Sequence, residues 1–289
     1  MSFLKKIKRN KVYPIGLVTA IIFIGITMFP LSPRTAGASS LPLGEIEIPD
    51  SPGVFQAGEE IEYDVTFLSI RLGRIIMKID SMTVDNGRNV WVTHAFIDSR
   101  EGIPFVSLHT VFESHVDEGG YSRYFIASEK DADEKWKYSK YLFDYPNQRI
   151  TIEDGKEGKV WRTLSYPAPT KYNEGLSLFY YARNNAMYKK YVSVPTIVND
   201  DTAHTFINFT GETESQDIDA VNYPVDCRHF IGKATWTGIY GLTGKFEGWF
   251  SNDNASVPIK AKLNLYVGSV WVELVKWNRP GWNPPRASN

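Results

Sequence analysis

Glu59-Glu60-Ile61-Glu62-Tyr63-Asp64-Val65-Thr66-Phe67 alternates apolar and polar residues without a break. Successive side chains of an extended chain point to opposite sides. Ile61, Tyr63, Val65 and Phe67 therefore share one face, and Glu60, Glu62, Asp64 and Thr66 the other. This is the pattern of a half-buried antiparallel strand. Ile259, Ala261, Leu263 and Leu265 repeat it against Lys260, Lys262 and Asn264 near the other end of the chain. A chain that starts and finishes in this way is a sheet with one apolar and one wetted face.

Strand-like runs fill most of the interval. They cover 59–68, 73–82, 89–98, 106–117, 121–128, 135–144, 148–153 and 158–165, then 190–197, 203–214, 225–236, 243–251, 256–266 and 269–277. Asp85-Asn86-Gly87, Glu118-Gly119-Gly120, Tyr145-Pro146-Asn147, Asp154-Gly155 and Asn252-Asp253-Asn254 supply turns. A strand and a turn about every ten residues predicts an antiparallel meander.

Residues 173–187 break the rhythm. Leu176, Phe179, Tyr180, Arg183 and Met187 fall on one helical stripe, with Asn173 as the N-cap. A lone helix among strands is expected to cover the apolar face of the sheet, which would otherwise leave a large apolar patch in water. The fold expected is mainly β: a curved antiparallel sheet or half-barrel, with one helix packed on its concave face. It forms a single domain over 55–277. Residues 39–54, without periodicity and rich in Pro, Gly and Ser, read as a linker, and 278–289 as a loose tail.

The first 38 residues carry the layout of an export signal. Lys5, Lys6, Lys8, Arg9 and Lys11 precede an apolar run from Ile15 to Leu31, and Ala36-Gly37-Ala38 offers a small-residue cleavage site. The run is long for a signal and short for a membrane span, so a cleaved signal peptide and a retained N-terminal membrane anchor both fit. Either way the body is exported, to the periplasm or cell envelope, and touches the membrane only through this segment if it is retained.

These residues hold six of the 32 basic side chains and none of the 33 acidic ones, so the exported body is acidic by seven charges. That balance argues against nucleic acid, which needs clustered Lys and Arg. The single cysteine, Cys227, excludes an intrachain disulfide and reads as a buried, inert thiol.

Motifs for catalysis are scarce. There is no nucleophile elbow, phosphate-binding loop or dinucleotide fingerprint, and no cofactor is expected. His109, Glu113 and His115 share one face of a strand, a donor set for zinc or iron. The two histidines sit about 20 Å apart along an extended strand, so a solvated polar face is the expectation. Arg183 interrupts an apolar stripe. It could grip a carboxylate or phosphate headgroup, or pair with an internal acid and lock the helix. Ser177, Phe179, Tyr180 and Arg183 on the helix, with Trp249 and Trp271 on strands, are the candidate ligand-binding residues. Each tryptophan could equally serve as packing or as a sugar platform.

Several segments taken in order resemble the bacterial domain-of-unknown-function 3108 family. They are Phe55-Gln56-Ala57-Gly58-Glu59-Glu60-Ile61-Glu62-Tyr63 with Leu72-Gly73, and Leu142-Phe143-Asp144-Tyr145. Then come Glu174-Gly175-Leu176-Ser177-Leu178-Phe179-Tyr180-Tyr181-Ala182-Arg183, Gly248-Trp249-Phe250-Ser251-Asn252-Asp253 with Val257-Pro258-Ile259-Lys260, and Gly268-Ser269-Val270. The helix motif departs from the family pattern at Glu174 and Ala182. The resemblance implies an exported, curved antiparallel sheet with a general similarity to lipoprotein-carrier half-barrels, and brings no activity with it.

The functional expectation is a non-catalytic envelope protein binding a lipid, another amphiphile or an apolar segment in a groove between helix and sheet. Two alternatives are a structural or assembly factor that binds another envelope protein, and a carbohydrate-binding or carbohydrate-active protein.

Overall fold

The computed structural model describes residues 53–85, 87–102, 108–131, 133–236, 244–264 and 268–288. The segment expected to be an export signal and most of the expected linker lie outside them. Among the described residues no helix is long and apolar enough to cross a membrane.

Among the described residues, fourteen strands form one antiparallel sheet. The first meander runs β1 (Glu59–Phe67), β2 (Ile70–Asp85), β3 (Arg88–Ser99), β4 (His109–Asp117), β5 (Ser122–Lys130), β6 (Trp136–Asp144), β7 (Arg149–Lys156) and β8 (Lys159–Pro167). After helix α1 (Gly175–Asn185) come β9 (Lys190–Val198), β10 (Asp201–Gln216), β11 (Val225–Ala234), β12 (Gly244–Ser251), β13 (Pro258–Asn264) and β14 (Ser269–Asn278). The spatial order is β8 to β1, then β14 down to β9. The first and last of the described strands are thus neighbours in the middle of the sheet, with Val65 opposite Val272 and Tyr63 opposite Leu274. The outermost strands, β8 and β9, flank the helix in sequence.

The alternation in β1 holds at most positions: Ile61, Tyr63 and Val65 are buried and Glu60, Glu62 and Thr66 are not, but Asp64 is buried as well and Phe67 only partly. The last two acids of the strand are neutralised from β2: Arg74 Nε meets Glu62 at 3.0 Å and Arg71 pairs with Asp64. The main core gathers Ile61, Ile79, Ile150, Ile152 and Leu274 from both meanders and Tyr180 from the helix. A smaller one joins Ala182 of α1 and its C-cap Ala186 to Val194, Ile207, Phe209 and Phe250.

The sheet curls until its ends approach, but side chains rather than a ladder bring them together. The turn between β9 and β10 is held by the Tyr141 hydroxyl, which donates to the Asn199 carbonyl at 2.7 Å, and by Arg162 of β8, whose Nη1 meets Asp200 at 2.8 Å.

The C-terminal tail is packed, not loose as its prolines suggested. Asp226 donates its N–H to the Pro285 carbonyl at 2.8 Å, and Val225 bridges Arg286. Trp282 stands edge-on to Trp277 and gives its Nε1–H to Asp253. Proline bars a regular ladder but leaves carbonyls and aromatic rings free to bind.

Candidate functional site

Helix α1 begins at a buried carboxylate. Glu174, one residue later than the expected cap Asn173, accepts the N–H groups of Leu176 (2.7 Å) and Ser177 (2.9 Å). The Ser177 hydroxyl closes the box by accepting the Glu174 N–H at 3.0 Å. Ser114 on β4 donates a third hydrogen bond to Glu174 at 2.7 Å. Burial pushes the Glu174 carboxyl above its usual value, although these donors favour the charged form. Asn173 instead fixes the entry of the helix. Its backbone exchanges hydrogen bonds with Pro195 and Ile197 of β9, and its side chain donates to the Gly120 carbonyl at 2.6 Å.

The next turns meet the sheet. Leu176 and Tyr180 are buried, and Leu176 alone stabilises this contact by roughly 1.5–3 kcal/mol. Phe55 stacks between Tyr180 and Trp91, with ring centroids 5.3 and 5.4 Å away. Phe179 is half-buried and edge-on to Tyr180.

One turn on, Arg183 makes a forked pair with Glu59 at the head of β1: Nη1 to Oε1 is 2.6 Å and Nη2 to Oε2 is 3.0 Å. Its Nη2 also donates to the Ala255 carbonyl. Arg279 of the tail reaches the same carboxylate and donates to the carbonyls of Val54 (3.1 Å) and Gly53 (2.7 Å). Burial opposes the charge of both guanidiniums. For Arg183 the Glu59 carboxylate outweighs burial and the pKa rises; for Arg279 burial wins and it falls. Of the two roles open to Arg183, the geometry provides the internal pair.

Ser177, Phe179, Tyr180 and Arg183 are therefore brought together, but as the filling between helix and sheet. Trp249 and Trp271 are not with them. Trp271 is opposite in parity to Leu274, so the two tryptophans lie on the face turned away from the helix, stacked with centroids 6.4 Å apart. Trp271 stands between Lys260 and Lys262. Residues 217–224 fold across this face: the Asp217 carbonyl accepts from Lys260 Nζ, Asp219 N–H donates to Glu273, and Ile218 is buried. Trp249 is only 7% exposed, so it offers no sugar platform.

The expected histidine row is split. His115 contacts Glu113 at 3.0 Å, and the other oxygen of that carboxylate lies 3.4 Å from His94 of β3. His109 instead pairs with Asp98 and leans on Trp136. A polar recess of about 420 Å³, walled by Gly87, Arg88, Asn89, Asp117, Glu118 and Gly119, opens at the rim of the sheet with no helix residue in its wall.

With this arrangement in view, comparison with known proteins is informative about ancestry. The family model described as "Protein of unknown function (DUF3108)" matches residues 62–275, which takes in the helix, the twelve strands β2 to β13 and most of β1 and β14. The chain belongs to the DUF3108 family. No curated protein matches it. Among solved structures, this DUF3108 member is similar to a beta-barrel-like protein of the DUF1849 family from Brucella abortus. The two are 12% identical with a TM-score of 0.50, covering 76% of this chain and 96% of the other. A Bacteroides fragilis protein with a YmcC-like fold aligns at 12% identity and a TM-score of 0.36, over 78% and 97%. The first likeness supports a curled, barrel-like sheet for the DUF3108 chain and reaches no further.

Proposed function

We propose that this protein is an exported, non-catalytic component of the cell envelope that binds an extended segment of another envelope protein along the outer edge of β8. Export rests on the basic, apolar and small-residue succession in the first 38 residues. The observation that carries the binding role is the state of β8. It is a nine-residue terminal strand whose backbone, among the described residues, pairs only with β7. Val160 and Trp161 stand about half exposed on it. An unpaired edge flanked by apolar side chains is a template for strand addition. The other terminal strand is partly protected, since Asn173 bridges Thr196 on β9. The helix–sheet contact favours this reading over an open groove, because the residues expected to frame a groove occupy it.

A photo-crosslinker placed at Trp161 in living cells should give one dominant protein adduct, lost when Val160→Lys puts a charge on the edge. The same probe at Trp271 should give none. Equal adducts at both positions, or none at Trp161, would overturn the assignment.

An amphiphile under the helix is the second reading. It is supported by two groups there, the Tyr63 hydroxyl and Arg183 Nε, which are buried without a hydrogen-bond partner; a headgroup oxygen would satisfy either. Mass spectrometry of organic extracts from the purified protein tests it: one stoichiometric lipid supports it, and none counts against it.

A further inference from the structure

The register of β10 against β11 slips between Phe209 and Thr213. Thr210, Gly211 and Glu212 occupy the slip, with Gly211 at φ +74°. The Thr210 hydroxyl donates to the His229 carbonyl (2.9 Å) and accepts the Glu212 N–H (3.1 Å); Arg228 Nη1 donates to the Gly211 carbonyl at 3.2 Å. Such bulges re-aim side chains. Two side chains on one face of a regular strand stand roughly 7 Å apart. Here one oxygen each from Glu212 and Glu214 and one ring nitrogen of His229 all lie within 4.8 Å of one another.

His229 is set up as a ligand. Its side chain is 14% exposed, and Nδ1 is buried with no hydrogen-bond partner, 3.5 Å from Glu214 Oε1. Its other nitrogen, Nε2, faces Glu247 at 3.8 Å. Carboxylates therefore flank the ring at both nitrogens, and a cation seated between the unpartnered Nδ1 and Glu214 would bridge the two. Glu214 is anchored from behind, its second oxygen accepting the Trp249 Nε1–H at 2.7 Å. The Trp249 ring in turn stacks on the His229 imidazole, centroids 5.4 Å apart. Groups that fix the orientation of would-be ligands distinguish this cluster from acids that merely share a surface.

We propose that Glu212, Glu214 and His229 bind one divalent transition cation of the zinc class, with the remaining position open to water. One imidazole and two carboxylates form a borderline donor set. It suits Zn²⁺ better than Ca²⁺ or Mg²⁺, which take oxygen ligands. The ion would clamp β10 to β11 across the bulge.

Calorimetric titration of ZnCl₂ into the purified full-length protein tests this. One Zn²⁺ per chain is expected, with no comparable uptake of Ca²⁺. Glu212→Gln, at an exposed position that packing does not depend on, should weaken binding at least about tenfold. His229→Gln should abolish it, and Trp249→Phe, which removes the hydrogen bond to Glu214 and trims the ring stacked on His229, should weaken it by a smaller factor. His109→Gln and His115→Gln should leave it unchanged. Absence of stoichiometric Zn²⁺ binding, or binding that survives both Glu212→Gln and His229→Gln, overturns the proposal.

Discussion

Arg183 and Glu59 are 124 positions apart and meet through two hydrogen bonds, with side chains 0% and 2% exposed. The pair ties the middle of the chain to the head of the first strand. Arg279 adds the tail to the same carboxylate. One acid thus joins three distant segments in a place that water does not reach.

Removing Glu59 leaves two buried guanidiniums without their shared partner. Glu59→Met is therefore expected to cost about 3–5 kcal/mol, the range for breaking a buried ion pair. Arg183→Met should cost less, because Arg279 still holds Glu59. The Glu59→Met/Arg183→Met double variant should recover part of the loss of Glu59→Met alone. Urea unfolding followed by tryptophan fluorescence reads all three. An Arg183→Met cost equal to or above that of Glu59→Met would refute this arrangement.

Glu174 gives a pH signature. Burial raises its pKa in the folded protein above 4.5, its ordinary value. The folded state then holds its proton more tightly than the unfolded state, so this group makes stability fall as pH rises from about 4.5 through the folded pKa. Glu174→Gln cannot titrate. The wild type should lose stability relative to Glu174→Gln as pH rises through that window, and run parallel to it below pH 4. Thermal unfolding of both proteins across the pH range checks the sign.

Two glycines with similar backbone should respond differently to alanine. Gly58 (φ +82°) has open space where a Cβ would go, so Gly58→Ala pays only for the left-handed backbone, roughly 1–2 kcal/mol. Gly120 (φ +83°) would place its Cβ 2.6 Å from the Tyr181 Cα. Gly120→Ala must also push the helix from the β4–β5 turn, and a cost of about 3 kcal/mol or more is expected. Equal unfolding midpoints for the two variants would contradict the close approach.

Cys227 is fully buried, and burial pushes its thiol up. Maleimide labelling of the native protein should run at least about a hundredfold slower than in denaturant, because the thiolate forms only when the site opens.

The sheet was legible because period two is a direct consequence of extended geometry. Every strand run expected from alternation and turns corresponds to an observed strand, and the stripe from Leu176 to Arg183 located the helix. The cap was displaced by one residue because Asn173 and Glu174 are both competent acceptors, and only the positions of Ser114 and Thr196 decide between them. The prolines of the tail point to a loose segment, whereas Arg279 and Trp282 beside them are what pack it. Nothing in the linear sequence joins Glu212 to His229, because a bulge changes which side chains converge. Gly211, inside an otherwise strand-like run, was the available hint. The partner of Arg183 lies in the first strand, and a sequence of one chain does not reveal contacts across 124 positions.

The union of β1 with β14 has a kinetic meaning. A ribosome makes β1 well before β14, so one side of β1 waits unpaired while more than two hundred residues are synthesised. The two halves can each zip up locally, but the seam between them closes only when β14 emerges. The nascent chain carries an adhesive edge throughout that interval, and shielding by a chaperone then would matter more for this protein than for one whose central strands are neighbours in sequence.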